Sequence, residues 1–387
     1  MKIKSGIGYS KKSDSINAGS EAALSAMKAL SGEIPSLVLV FTSPKYDLPI
    51  LLETIRTITG KALLIGSTSS GEIVGGTHLG IAEGVGVLAL TAGSYKFGVA
   101  SMSHIRGNLD FAGKTVARNA QKAVPHSPYA AVVLLADSML GNLQELFQGV
   151  YRITGPRVAI VGGAAGDDQK FIHPLVFHND EILDEGVVAL WIGSDHPLNV
   201  TTRHGWEPIG LPLLVTRAQG TQIIELSGCP ANQVYEEQLG LKPGTLSDQD
   251  FWNTSILHPL GMLQADGSSI IRVARSKTKE NYLNIQGCVP PVGSAVQVMA
   301  GNTDSLLGVV EDVVTTSLDF LQEPGLLLAF SCAAREMIFR DRQSEEASRI
   351  QKAAGDIPTF GVYCCGEFAR TSGVLGTHNA TLTAIAL

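Results

Sequence analysis

Apolar positions in this chain fall into short unbroken runs more than into alternating ones. Ser36–Thr42 (SLVLVFT), Ala62–Ile65, Gly84–Leu90 (GVGVLAL), Ala130–Ala136, Arg157–Val161, Gly186–Gly193 (GVVALWIG), Leu326–Phe330, Pro358–Tyr363 and Ala380–Leu387 are each four to eight or so residues long. Runs of that length, bounded by turn residues, predict strands covered on both faces. Between them lie stretches with helical spacing: Ser15–Leu30, Leu48–Thr59 stopped by Gly60, Asn142–Ile153 closed by Gly155-Pro156, Thr303–Leu321 stopped by Glu323-Pro324-Gly325, and Ser344–Ala354. Ser94–Ala100 reads as a strand paired with Gly84–Leu90.

One order recurs three times: strand, helix, strand, a turn of small residues carrying Gly and an acid, a long loop, strand. The three turns are Gly66–Glu72 (GSTSSGE), Gly162–Asp168 (GGAAGDD) and Cys364–Glu367 (CCGE). The first two strands of each unit, joined through a helix, are expected to be parallel. Between the second and third units the pattern changes. Leu211–Thr216 and Gln222–Leu226 flank a hairpin turn at Ala218-Gln219-Gly220. Pro230–Leu239 reads as a short helix, and Ser269–Ala274, Tyr282–Gln286 and Ala295–Met299 as a meander. This shift puts a boundary near 200–222. The expected fold is α/β, with mixed sheets and two associated halves, 1–222 holding two diverged strand-helix-strand-turn-strand units and 223–387 holding the insert and the third.

At 387 residues, 44% hydrophobic and 17% charged, the chain has ample material for a large core. Its net charge of −7 and scattered Lys and Arg give no basic stripe, which argues against nucleic-acid binding. No apolar run reaches the roughly 18 residues of a membrane span, and the first residues lack the apolar core of a secretion signal. Five cysteines at irregular spacing fit free thiols in a reducing, cytoplasmic setting. There is no CxxC, HExxH, CxxCH, Walker loop or GxSxG, so structural zinc, covalent haem and serine-hydrolase chemistry are not expected, and no catalytic constellation stands out.

Several stretches could carry a ligand. The hydroxyls and amides of Ser67, Thr68, Ser69, Gly71 and Glu72 suit an anion, or equally a tight turn satisfying itself. Gly162 and Gly163 permit close approach of a ligand or of another loop. Arg335 stands just past a strand's carboxyl end and suits a carboxylate or phosphate, or an internal salt bridge with Glu367 or Glu345. Cys364, Glu367, Arg370, His378 and Asn379 cluster in the last stretch; Cys332, Cys364 and Cys365 sit at the ends of two strands that one helix joins, as a redox switch or as buried inert thiols. Loop histidines His178, His204 and His378 are the candidates for a haem iron, with capping work as the alternative.

Taken together, GSTSSGEI at 66–73, GGAAGDD at 162–168, GVVALWIG at 186–193, HGWEPIG at 204–210, IELSGCPANQVY at 224–235, FSCAAR at 330–335, GVYCCGEFAR at 361–370 and HNATLTAIAL at 378–387 resemble the FIST sensory module, with its N-terminal and C-terminal halves. The likeness covers nearly the whole chain. Cys365 stands where such modules often carry an aromatic residue, and Ser227 where an acid is common. The resemblance implies an intracellular signal-transduction protein that senses a small ligand, such as an amino acid or another small anionic metabolite. It implies a separate output partner such as a histidine kinase, a chemoreceptor or a cyclic-dinucleotide enzyme. A haem-binding nitric-oxide sensor is the first alternative it raises, and an enzyme acting on a small anion is the second. No cofactor is expected on the main reading, haem on the other; a homodimer is compatible with so apolar a chain.

Overall fold

The computed structural model describes residues 2–370 and 374–387. The first unit runs β1 (Ser5–Ser10), α1 (Ser15–Ala29), β2 (Leu37–Thr42), α2 (Leu48–Thr59), β3 (Leu63–Thr68), β4 (Glu72–Val74), β5 (Thr77–His78) and β6 (Val85–Leu90). The second runs β7 (Lys96–Met102), α3 (Leu109–Lys122), β8 (Tyr129–Asp137), α4 (Leu143–Thr154), β9 (Ala159–Ala165), β10 (Val176–His178), β11 (Glu181–Leu183) and β12 (Val187–Ser194). The third opens with β13 (Val200–Arg203) and is then interrupted.

The interruption is a β-rich insert: β14 (Glu207–Pro208), β15 (Leu213–Gln219), β16 (Gln222–Leu226), β17 (Cys229–Pro230), α5 (Ala231–Gln238), α6 (Asp248–Ser255), β18 (Leu260–Leu263), β19 (Ser269–Arg272), β20 (Ala274–Lys277), β21 (Leu283–Ile285) and β22 (Ala295–Ala300). The third unit resumes with α7 (Thr303–Gly308), α8 (Val310–Leu318), β23 (Leu327–Cys332), α9 (Ala333–Phe339), α10 (Gln343–Ala354), β24 (Thr359–Cys364), β25 (Glu367–Ala369), β26 (Thr377–His378) and β27 (Leu382–Ala386).

Each unit builds a sheet around one parallel pair: β2 with β3, β8 with β9, β23 with β24. Each unit also gives its short hairpin away. β4–β5 extends the sheet of the third unit, β25–β26 extends that of the second, and β10–β11 that of the first. The exchange is cyclic, so the three units interlock. Their sheets turn inward on one core that holds Phe41 and Leu88, Val133 and Leu190, and Phe330 and Ile385. Helix pairs cover the outer faces: α1 and α2, α3 and α4, α8 and α10. That double cover is why β2, β8 and β12 read as continuous apolar runs.

Sequence and structure part in a few places. Gly84–Leu90 and Ser94–Ala100 are not partners: β6 lies between β1 and β2, while β7 pairs with β12 in another sheet. The hydrophobic pattern is the same for either pairing, so only the tertiary arrangement selects one. The expected helix Thr303–Leu321 is two helices, α7 and α8, broken next to Gly308 where the Leu306 carbonyl accepts a hydrogen bond from Arg335 Nη2 at 2.8 Å. β1 and α3 went unread; α3 is amphipathic but so polar overall that its buried Leu109, Ala112, Val116 and Ala120 form only a thin stripe.

Candidate functional site

The three small-residue turns meet where the units interlock, and they bond to one another. Ser70 N–H donates to the Tyr363 carbonyl and Tyr363 N–H to that of Gly71; Gly166 N–H donates to Thr68 O and Asp168 N–H to Ser69 O; Cys365 N–H donates to Ala164 O and Ala164 N–H to Gly366 O. Small residues are required here. A Cβ on Gly166 would stand 2.4 Å from Ser70 Oγ, and one on Gly162 would stand 1.9 Å from the Leu134 carbonyl oxygen. Amides that could have cradled an anion are thus spent on holding the units together.

Beside this junction the insert leans on the body and leaves a cleft of about 330 Å³. The body contributes Phe171, Cys332, Met337, Cys365 and Asn379, and the insert contributes Trp252, Val273, Arg275 and Gln286. Phe171 is placed by a tight loop whose Asp168, Gln169 and Phe171 all take positive φ. Asp167 holds that loop: its carboxylate accepts N–H bonds from Phe171, Ile172 and His173 at 2.7, 2.5 and 2.9 Å. The Arg275 guanidinium lies 4.3 Å over the Phe171 ring, a cation–π contact that ties insert to body. Asn379 Oδ1, on the cleft wall, is buried without a hydrogen-bond partner among the described residues.

A buried acid network backs the cleft. Gln169 Nε2 donates to Glu336 Oε2 at 2.9 Å, and His78 Nε2 stands 2.6 Å from Glu336 Oε1. Burial pushes the Glu336 carboxyl up, with the His78 contact working against it. Burial also pushes Glu72 well up, and Ser69 Oγ–H donates to its Oε1. The thiols are likewise raised by burial, Cys332 well above its ordinary value and Cys365 to about 12, so the sulfurs on the cleft wall are protonated at neutral pH.

The candidate residues divide into groups. Asn379 lines the cleft; Glu367, His378 and Asn379 line a small adjoining cavity of about 20 Å³. His378 and His204 also line a groove of about 610 Å³ with walls from both body and insert. Glu367 is buried, with Oε2 accepting from Thr381 N–H and Oγ–H at 3.1 and 2.8 Å and Oε1 accepting from the Cys364 thiol at 3.4 Å. Ser67 and Thr68 lie within β3, and Ser69, Gly71 and Glu72 are packed in the turn junction. Gly162 and Gly163 sit in β9 opposite Phe368 and Glu367.

Arg335 is fully buried and turned away from the cleft. It pairs with Glu346 through Nε at 2.9 Å and Nη2 at 2.5 Å, and donates to the carbonyls of His204 and Leu306. Neither Glu367 nor Glu345 is its partner; Glu345 pairs with Arg342 and Arg349 on the surface. Arg370 donates to the Pro156 carbonyl and stacks on Tyr151. Residues 371–373 of the loop that follows lie outside the described residues.

The histidines offer little to a haem iron. His178 has Ser101 Oγ at Nδ1 and Asn179 Nδ2 at Nε2, 3.0 and 3.2 Å away. His204 Nδ1 accepts the Trp206 N–H at 2.9 Å, which places its own hydrogen on Nε2, and His378 Nε2 is bonded to the Ala369 carbonyl at 3.0 Å. None of the three therefore presents a bare Nε2 in this arrangement. Among the described residues no group of three or more His, Cys, Asp and Glu side chains is arranged to hold a metal ion, and no helix is long and apolar enough to cross a membrane.

Sequence reasoning missed Phe171, Trp252, Arg275 and Gln286. Trp252 and Arg275 belong to the insert, whose own pattern says nothing about the face it turns to the body. The one available signal was Asp167-Asp168 after a glycine turn, which marks a loop built on a carboxylate.

Residues 36–228 match the family model described as the FIST N domain, and residues 231–370 that of the FIST C domain. An uncharacterized protein of Mycobacterium tuberculosis is 25% identical, the alignment covering 98% of both chains. An uncharacterized protein of Methanocaldococcus jannaschii is 24% identical over 71% of this chain and 55% of its own length. A solved structure, a cyanuric acid hydrolase from A. caulinodans, aligns over 100% of this chain and 99% of its own at 10% identity with a TM-score of 0.38, too low to relate the two folds.

Proposed function

Because the chain belongs to the FIST family, whose domains are generally signalling sensors, we propose that it senses a small amphipathic anion of amino-acid size, bound in the cleft between the three-unit body and the insert. The observation that carries this reading is Asn379: a buried carboxamide oxygen without a donor among the described residues, on the wall of a cavity whose other walls are largely apolar. An unmet acceptor in such a place favours a ligand with an N–H or ammonium group. Arg275 supplies the charge for a carboxylate, and Trp252, Phe171 and Met337 supply the surface for an apolar body. A volume of about 330 Å³ suits a molecule of that size.

The cleft has walls from both body and insert, so a ligand that bridges them favours one relative placement of the two. That shift is what a separate signalling protein, such as a histidine kinase, a chemoreceptor or a cyclic-dinucleotide enzyme, would read. No reaction is assigned to the cleft: Cys332 and Cys365, the nucleophiles on its wall, are held as thiols by burial.

The test is a thermal-shift and calorimetric panel of the common amino acids and small carboxylates on the full chain. A binder present at about 100 times its Kd stabilises by roughly 2.7 kcal/mol, a shift of a few degrees. Asn379→Ala and Trp252→Ala should each weaken that binder at least about tenfold while the apo protein stays folded. If no member of the panel moves the melting temperature of folded protein, or if both variants bind as tightly as wild type, the reading fails.

A further inference from the structure

We infer that the small cavity beside Arg272 is a binding site for a single monatomic anion of halide size, separate from the ligand cleft. Arg272 ends β19 and is only 1% exposed. Its Nη1 donates to the carbonyls of Ile271 and Thr377 at 2.9 and 2.8 Å, and its Nη2 lies 3.5 Å from Thr377 Oγ1. Among the described residues its Nε has no hydrogen-bond acceptor, and the Cys288 side chain is the neighbour that favours its charge. The ion pairs found among the described residues include none to Arg272, whereas Arg335, buried as deeply, has Glu346.

A buried lysine or histidine in this position could shed its proton. A guanidinium cannot, so the charge stays and has to be answered in some other way. The carbonyl dipoles of Ile271 and Thr377 and the Cys288 side chain answer part of it. A neutral water could satisfy Nε but would leave the charge uncompensated.

The cavity that touches Arg272 measures about 20 Å³, with Gly287, Cys288, Gly366, Glu367, His378 and Asn379 among its walls. That is room for one water-sized particle and not for a carboxylate with a body attached. A second donor is at hand: Asn379 Nδ2 lies 3.7 Å from the point where a Gly366 Cβ would stand. The glycine leaves that side of the cavity open. Glu367 is the wall group that would oppose an anion, but both its oxygens are engaged by Thr381 and Cys364, and burial pushes its carboxyl up to about 7. His378 is neutral at physiological pH, its pKa brought down to about 4 by burial first and then by the Arg272 charge. Among the described residues of the cavity wall, Glu367 is about half ionised near pH 7, and Arg272 carries the one full charge that does not titrate there.

The experiment uses the full chain without any organic ligand, exchanging gluconate for chloride at constant ionic strength. The ³⁵Cl line should broaden saturably on adding protein, bromide should relieve the broadening, and the melting temperature should rise by about 2 °C or more by ~0.1 M chloride. Arg272→Gln, which keeps the hydrogen-bonding shape and removes the charge, should abolish both effects. Should that variant not fold, saturable broadening and bromide competition on wild type decide the matter. A melting temperature equal in chloride and gluconate with no excess broadening means that the cavity holds water, and overturns the proposal; so does broadening that survives Arg272→Gln. Either failure leaves the cleft untouched, because no organic ligand is involved.

Discussion

Replacing Glu367 by Gln isolates the energetics of the buried carboxyl at the third turn. Glu367 is 1% exposed, and burial raises its pKa to about 7 against an ordinary 4.5. The hydrogen bonds from Thr381 and the thiol contacts work in the opposite direction and do not win. A carboxyl whose pKa is higher folded than unfolded contributes its full stability below the unfolded value and loses it as pH rises through the folded value. The gap of about 2.5 pH units corresponds to roughly 3 kcal/mol, lost mostly between pH 4.5 and 7. His204 and His378, with pKa values lowered to about 4 chiefly by burial, act the other way: their stability is present above about 6.5 and is lost as pH falls. They are common to both proteins and cancel in the difference. Gln is isosteric and keeps an acceptor for Thr381 while titrating nowhere. Urea unfolding of wild type and Glu367→Gln at closely spaced pH values should therefore show the variant gaining roughly 3 kcal/mol on wild type between pH 4 and 8. A difference that does not change with pH would show that Glu367 is not shifted, and the burial argument behind it would fall.

Other expectations rest on separate features. Glu346→Ala strands the Arg335 guanidinium in the core and should cost about 3–5 kcal/mol by denaturant unfolding, with Glu346→Gln costing less. Gly162→Ala forces a Cβ against the Leu134 carbonyl at a φ of +149° and should cost more than about 3 kcal/mol, read as a lowered melting temperature or loss of soluble protein. Of the five thiols only Cys229 is exposed, so a disulfide reagent should titrate one group rapidly in native protein and five after unfolding.

Much of this architecture was legible along the chain. Nine apolar runs and the intervening helices set out the three units, and each parallel pair follows from a helical crossover between two such runs. The turns at Gly66–Glu72, Gly162–Asp168 and Cys364–Glu367 announced themselves by their small residues, although their amides serve one another and not a ligand. Candidate chemistry was less legible. Asn379 was in view from the start, yet Arg335, conspicuous past a strand end, is neutralised by Glu346 eleven residues on.

Sequence alone determined which segments are buried and in what order they recur, because burial on both faces selects apolar residues wherever the partner comes from. The tertiary structure decided the partners. Hairpins of two or three residues per strand carry no period long enough to specify a register, so the cyclic exchange of β4–β5, β10–β11 and β25–β26 arises only when three sheets close on a common core. The same closure sets the insert against the body, bringing Trp252 and Arg275 to Phe171 and Asn379 across long stretches of chain. It also leaves Arg272 with a charge that no nearby residue in the sequence would have foretold.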